Sequence, residues 1–492
     1  MHGHNRLKST ASGLLSIFSF GGRLLNAPAR ASLIYTATNV FSRAAALIFT
    51  PFFTRLLSTS EYGRYALFHT YLALLGAIGT LEIGGGIILS VLASHRTSPR
   101  ASLRCAAVLS IFSVTLTFLG FTVYRRLFGI APIFKWDAAL MYLSVVSSSM
   151  INLFIAYCRF FYRWRLNILI TLILSVISPL LSLAALTLYA SATYDKTAVK
   201  IAIGTLVVLM ISIPITIYML LSKSGESEKP GLKSGIGELL RLALPMLPYY
   251  LSVMIVNESD KFIIEHYLGI SELGKYSVAY SAGVAASVIS TGASQILSAW
   301  IVRKCTENKY ERINSVLLAS IRILSSLILV FLAFAPELFR ILAPDEYYTA
   351  IFSVYPVAIA IVPIFIISVF TTLSLGEKKT LPPVAAGLST AAFHAVTAHI
   401  LIPRYGISSA GIVHLLSYVF LLAVLMISFK LLSRKTIINA NKTFQIVLFS
   451  ITFSFICYEI RNVISARILL AIIALLYAAF GIYKNRDLIR EK

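Results

Sequence analysis

The side chains best able to do chemistry in this 492-residue chain are ionisable groups set inside apolar stretches. A charge in such a place needs a partner or a task. Arg43 is flanked by Thr36, Asn39, Thr50 and Thr54 at helical spacing, so the five form one stripe of an α-helix. Turned toward lipid, that stripe would be costly. It is therefore expected to face a cavity, with the Arg43 guanidinium offering a fork of donors to an anion. Glu82 sits amid Gly76, Gly79, Gly84, Gly85 and Gly86, and reads either as the counter-ion of Arg43 or as a proton-titrating group. Asn257, Glu258, Asp260 and Lys261 fall within about one turn, Asn257 and Lys261 on one face at i, i+4 and Glu258 within reach of Lys261. Arg322 lies some way into another apolar run, roughly 13 Å deep at about 1.5 Å per residue. It is a second cation that could answer Arg43 across a cavity. His394 and His399 share one run and His414 lies in the next; each titrates near neutral pH or is a satisfied polar side chain. Blander alternatives stand beside these: a structural Arg43–Glu82 pair, and a closed polar knot at residues 257–261.

The elements that must position these groups follow from composition. Hydrophobic residues make up 58% of the chain and charged residues 13%, against roughly 45–50% and about 25% in soluble domains. A soluble multidomain enzyme, a disordered chain and a disulfide-stapled chain are all excluded. The expected class is an all-α, polytopic integral membrane protein. Apolar runs near the roughly 20 residues that cross a bilayer predict fourteen transmembrane helices, near 31–54, 65–94, 102–124, 138–158, 166–190, 199–221, 240–264, 276–301, 314–336, 350–374, 381–402, 407–430, 443–459 and 463–483. With the N-terminus cytoplasmic, 28 of the 43 lysines and arginines fall on cytoplasmic connections or termini and 12 on the opposite side. That asymmetry places both termini in the cytoplasm. It also accounts for the net charge of +23 as a topology signal and a contact for anionic lipids, not as a nucleic-acid surface. Residues 1–30 read as a cytoplasmic interfacial segment in preference to a cleaved signal. Pro245 and Pro248 are expected to kink the seventh span. The four cysteines are scattered without a CxxC pair, so neither a metal site nor a disulfide framework is expected. Nor is a cofactor or a catalytic set expected, since no phosphate-binding GxxxxGK[ST] loop, HExxH or GxSxG is present.

The chain also repeats itself at an offset of 211 residues. Leu57-Ser58-Thr59-Ser60-Glu61-Tyr62-Gly63-Arg64-Tyr65 matches Leu268-Gly269-Ile270-Ser271-Glu272-Leu273-Gly274-Lys275-Tyr276 at the Leu, Ser, Glu, Gly and Tyr positions. Six spans per repeat give two halves of the same orientation, a transporter signature. The predicted organisation is a six-helix unit at 31–221, a cytoplasmic linker at 222–239, a second six-helix unit at 240–430, and two further helices with a tail at 431–492. In the repeated motif Ser60 and Ser271 are placed to cap helices, while Gly63 and Gly274 permit close backbone approach. The plainest expectation is that the motif only sets the geometry of each hairpin.

Several of these features together resemble a known family. They are the Arg in the first span, the Thr54-Arg55-Leu56-Leu57 run leading into Glu61-Tyr62-Gly63-Arg64-Tyr65, its second copy after Asn257-Glu258-Ser259-Asp260-Lys261, Tyr157-Cys158-Arg159-Phe160-Phe161-Tyr162-Arg163, and Ile402-Pro403-Arg404-Tyr405-Gly406. The chain resembles the polysaccharide biosynthesis proteins, O-antigen (Wzx-type) oligosaccharide-lipid flippases of the superfamily that also holds multidrug and toxin extruders. The resemblance runs over about residues 30–430. It implies two lobes around a central cavity and alternating access to undecaprenyl-diphosphate-linked oligosaccharide in a bacterial inner membrane. Arg43, Asn39, Asn257, Lys261 and Arg322 would then contact substrate, and Glu82, Glu258, Asp260, His394 and His399 would form the coupling network. The implied partners are the lipid-linked oligosaccharide, membrane lipids, and a polysaccharide polymerase and chain-length regulator. A drug or cation antiporter of the same fold and a membrane glycan polymerase are the competing functions.

Overall fold

A computed structural model describes residues 27–93, 98–188, 195–221, 232–306, 310–376, 381–433 and 439–484. The described residues are helical, with no strand among them. In chain order the α-helices are α1 (Ala27–Leu56), α2 (Thr59–Thr80), α3 (Ile88–Ala93), α4 (Pro99–Leu127), α5 (Asp137–Phe160), α6 (Trp164–Leu172), α7 (Ser178–Leu188), α8 (Lys196–Leu221) and α9 (Leu232–Leu268). They continue as α10 (Ile270–Ala285), α11 (Ser287–Thr306), α12 (Tyr310–Ala333), α13 (Ala335–Leu342), α14 (Val354–Ile359), α15 (Ile361–Gly376), α16 (Leu381–Tyr405), α17 (Ile407–Ser433), α18 (Ala440–Glu459) and α19 (Ile464–Lys484). Among the described residues, ten helical segments are long and apolar enough to cross a membrane, or eleven when α2 and the helix after it count as one span bent by 68°. The chain is thus a multi-pass, all-helical membrane protein. The predicted turn near Tyr458 to Asn462 is present between α18 and α19. Most of the N-terminal segment expected to lie at the membrane interface falls outside the described residues.

Local sequence explains where the helices start and bend. Ser58 accepts from the Glu61 amide while the Glu61 carboxylate accepts from the Ser58 amide, a closed capping box that starts α2. Ser60, expected to be the cap, already lies inside the helix, and in the second copy Gly269 (φ +92°) holds the cap position that Ser271 was expected to fill. The second span bends at its glycine-rich stretch. Leu81 and Glu82 both adopt left-handed backbone (φ 50° and 51°), and a π-helical turn follows at Ile83–Ile87. The helix α9 begins at Leu232 and contains both Pro245 and Pro248. The predicted linker at 222–239 is therefore shorter at its far side, and Leu239 is fully buried.

The repeated motif does more than shape two hairpins. Its copies pack on each other. A side chain on Gly63 would sit 1.9 Å from the Ile270 carbonyl oxygen, and one on Gly274 would sit 2.0 Å from that of Thr59. The two backbones touch where only glycine fits. Thr59 Oγ1 and Ser271 Oγ lie 2.8 Å apart beside them. At this same end, called the turn end below, Thr54 donates to the Leu342 carbonyl (2.7 Å) and Arg55 to that of Ile341 (3.1 Å), so α1 caps the C-terminus of α13. Phe53, Leu57, Tyr62 and Ala66 consequently belong to one buried cluster with Leu273, Tyr276, Phe339 and Tyr347 from the second half of the chain. A second cluster joins α3, α4 and α5 to Leu239 and Ala243 of α9. The last helix is tied in by a buried arginine. Arg467 donates to the Ala333 carbonyl (2.7 Å) and forks onto Glu337 of α13 at 2.5 and 2.6 Å.

Candidate functional site

Three cavities run along α1. The first, about 610 Å³, is lined by Asn39, Ser42, Glu82, Asn152, Arg159 and Asn167 among others, with Met254 contributed by α9. The second, about 500 Å³, is lined by Phe53, Tyr65, His69, Ser178, Lys200 and Thr205 and shares Leu72, Ala73, Ser144, Ser148 and Leu174 with the first. The third, about 480 Å³, lies between the two halves of the chain. It brings Arg43, Thr50, Tyr62 and Lys200 together with Tyr280, Ser281 and Val284 of α10. Phe53, Tyr65, Pro179 and Lys200 line both the second and the third.

The α1 stripe therefore faces space, but not as one uniform strip. Asn39 lines the first cavity, Arg43 and Thr50 line the third, and Thr54 is spent on α13. Arg43 is exposed and donates to Ser287 Oγ at the start of α11, a contact from one half of the chain to the other. This corrects the alternative of a structural Arg43–Glu82 pair, because Glu82 has no ion-pair partner among the described residues and lines the first cavity instead. Glu82 has left-handed backbone at the point where the glycines interrupt the helix.

The cluster on α9 separates into three unlike pieces. Lys261 pairs with Glu258 at 2.7 Å, and its ammonium also lies over the Tyr280 ring, 4.9 Å from the centroid. Since Tyr280 lines the third cavity, this pair borders the space that holds Arg43. Asn257 accepts from the Tyr418 hydroxyl at 2.7 Å, and the Tyr418 ring packs on His414, which also packs on Tyr280. Asp260, 1% exposed, meets neither. Its carboxylate accepts from the Tyr276 hydroxyl (3.1 Å) and lies 3.0 Å from His394 Nε2. His394 Nδ1 is 2.8 Å from Ser417 Oγ, whose hydroxyl reaches the Val413 carbonyl at 2.7 Å. A sealed polar chain, Tyr276–Asp260–His394–Ser417, thus joins four helices in a region without solvent access. His414 is buried between the Tyr280 and Tyr418 rings. His399 is exposed and bonds only within its own helix, to the Ala395 carbonyl. Arg322 does not face Arg43. It lines none of the three cavities, and its Nε is buried without a hydrogen-bond partner.

Two cavity cations escape the sequence reading. Arg159 lies just past the predicted run at 138–158 and Lys200 at the start of the run at 199–221, and both count with the connections in the charge tally. The helices extend past those runs, α5 to Phe160 and α8 back to Lys196, and so carry both cations inward. For Lys200 the i, i+4 spacing from Lys196 was the available signal. No group of three or more His, Cys, Asp or Glu residues able to hold a metal occurs among the described residues.

Comparison with known proteins places this geometry. The family model described as "Polysaccharide biosynthesis protein" matches residues 29–301. No curated protein matches the chain. Among solved structures, "Lipid II flippase MurJ, inward closed conformation" aligns over 93% of this chain and 100% of its own, with a TM-score of 0.62 at 15% identity. An outward-facing multidrug resistance MATE family transporter of the MOP superfamily aligns over 83% of this chain and 96% of its own, with a TM-score of 0.59 at 13% identity. A MOP superfamily transporter from Pyrococcus furiosus aligns over 83% of this chain and 95% of its own, with a TM-score of 0.56 at 12% identity. At these identities the likeness is one of fold. The structural relatives are transporters and flippases, not enzymes.

Proposed function

Because the chain belongs to the polysaccharide biosynthesis protein family, we propose that it is a flippase. Its cargo would be undecaprenyl-diphosphate-linked oligosaccharide repeat units, destined for O-antigen, capsule or exopolysaccharide. It would move them across a bacterial inner membrane by alternating access, with both chain termini on the cytoplasmic side. The halves at 31–221 and 240–430 would rock about the α1 cavities, and the helices after residue 431 would border a groove for the lipid tail. The observation that carries this reading is Arg43, an exposed guanidinium in a cavity between the two halves, with no carboxylate partner among the described residues. Such a group is free to take a diphosphate through its donor fork. Arg159 in the neighbouring cavity and Asn39 beside it extend the same surface, and Lys261 borders it through Tyr280. Glu82 and the Asp260–His394 pair are the groups suited to proton coupling; Glu258 is occupied by Lys261. A cation antiporter would need an acidic cavity, whereas the three α1 cavities hold Arg43, Arg159 and Lys200 against one carboxylate, Glu82.

The test is surface glycan in cells carrying each variant, normalised to protein in the membrane. Arg43→Ala is expected to cut export by at least about tenfold, the order of one lost charge-assisted contact, with protein level maintained. Arg43→Lys should retain part of the activity. Because Glu82 is not the partner of Arg43, the double variant Arg43→Ala/Glu82→Gln should stay defective. Full export by Arg43→Ala, or rescue by the double variant, would overturn the assignment.

A further inference from the structure

We propose that the space beside Lys200 is a subsite for an acidic sugar of the transported glycan, whose carboxylate meets the Lys200 ammonium. The proposal rests on the flippase reading and deepens it. Lys200 is 6% exposed, yet it lines two cavities at the place where they join. Its neighbours on α8 are satisfied: Lys196 donates to the Leu56 carbonyl at 3.3 Å and Thr197 to that of Glu61 at 3.1 Å. Among the described residues Lys200 has no such oxygen. Its ammonium stands 3.4 Å from the ring centroid of Tyr65, 3.6 Å from that of Phe53 and 5.4 Å from that of Tyr62. Aromatic faces offset part of the cost of a desolvated cation, but they bring no counter-charge. Among the described residues no carboxylate lines either cavity.

The rest of the lining suits a sugar. Tyr65 and Phe53 offer apolar edges to its C–H faces, while His69, Ser148 and Thr205 offer polar atoms to its hydroxyls. A volume of about 500 Å³ lies within the roughly 300–1,000 Å³ of small-molecule sites. Position supports a division of labour. Arg159 and Glu82 mark the first cavity and Arg43 the third, so a diphosphate held by the arginines has the Lys200 space as a neighbour along α1. A neutral glycan there would seal the ammonium away without an anion, whereas an acidic one supplies it. The cage therefore discriminates against neutral cargo as well as favouring acidic cargo.

The experiment measures binding to the purified full chain in lipid nanodiscs, using three probes. These are geranyl diphosphate, a geranyl-diphosphate trisaccharide ending in glucuronic acid, and the matching trisaccharide ending in glucose. Wild type is expected to bind the glucuronic-acid probe about tenfold more tightly than the glucose probe. Lys200→Met should abolish that difference while leaving the glucose probe and geranyl diphosphate unchanged. Lys200→Gln carries the same expectation should the methionine variant not yield folded protein. Equal affinities in wild type, or a preference that survives loss of Lys200, would overturn the subsite. Equal weakening of all three probes by Lys200→Met would assign the lysine to the diphosphate and overturn it too. Failure of geranyl diphosphate to bind wild type at all would instead count against the flippase reading itself.

Discussion

Replacing Gly63 by alanine adds one methyl group, and the structure says what that group meets. Its position is 1.9 Å from the Ile270 carbonyl oxygen, 2.9 Å from the carbonyl carbon and 3.2 Å from the Gly274 amide nitrogen. All three are backbone atoms, so no rotamer change relieves the clash. To reach ordinary contact at 3.4 Å, α2 and α10 must part by about 1.5 Å. Overpacking of this kind costs about 1–3 kcal/mol, which corresponds to roughly a 5- to 150-fold shift away from the closed arrangement. A cysteine pair at Thr59 and Ser271, whose hydroxyl oxygens are 2.8 Å apart, reports on that contact. In an otherwise cysteine-free chain the pair should cross-link readily, and adding Gly63→Ala should slow the reaction by a comparable factor while the chain still elutes as folded protein. Gly274→Ala should do the same from the other side, its methyl meeting the Thr59 carbonyl at 2.0 Å. Unchanged cross-linking in both variants would refute the view that these glycines hold the turn end shut.

Two further outcomes follow from the ion pairs. Asp260→Asn leaves His394 and the Tyr276 hydroxyl without their carboxylate in a sealed site, so it should lower stability by about 1–3 kcal/mol and reduce folded protein in the membrane; wild-type amounts would show that the polar chain is not structural. Glu337 is held below its usual carboxylate value chiefly by its hydrogen bond to Arg467, so its contribution is complete above the ordinary value of about 4.5 and fades as pH falls through the lowered one. Glu337→Gln should therefore reduce the thermal midpoint at pH 7 and lose its effect at acidic pH, and a gap that widens toward acid would contradict the pairing.

Much of the architecture was legible because bilayer physics leaves a strong imprint on sequence. The apolar runs and the short connection between the last two of them emerged from length and composition, whereas the bend after Thr80 lies inside what read as one span. The 211-residue repeat was visible too, but its role was not: nothing in either copy alone says that Gly63 touches the backbone at Ile270. The site was read less completely. Arg43 was found because a charge amid apolar neighbours is conspicuous. Arg159 was missed because α5 overran the apolar run used to define it, and Lys200 because, at the very start of its run, it was counted with the connections. The partners of Asp260 were hidden for another reason: it read as part of a closed knot with its neighbours at 257–261, whereas His394 comes from a distant helix. Arg322 erred in the opposite direction, since depth in a helix says nothing about which face the residue occupies.

The bond between Arg467 and Glu337 also bears on how such a chain is made. The partners are 130 residues apart, and at roughly 5–20 residues per second of synthesis the acid precedes the base by on the order of ten seconds. During that interval α13 lacks its fork of donors and α12 lacks the packing of α19, although the far end of α13 already accepts Thr54 and Arg55 from the first helix. The final helix is therefore less an appendage than the closing stitch: the order in which the ribosome delivers the helices makes completion of the second half wait for nearly the whole polypeptide.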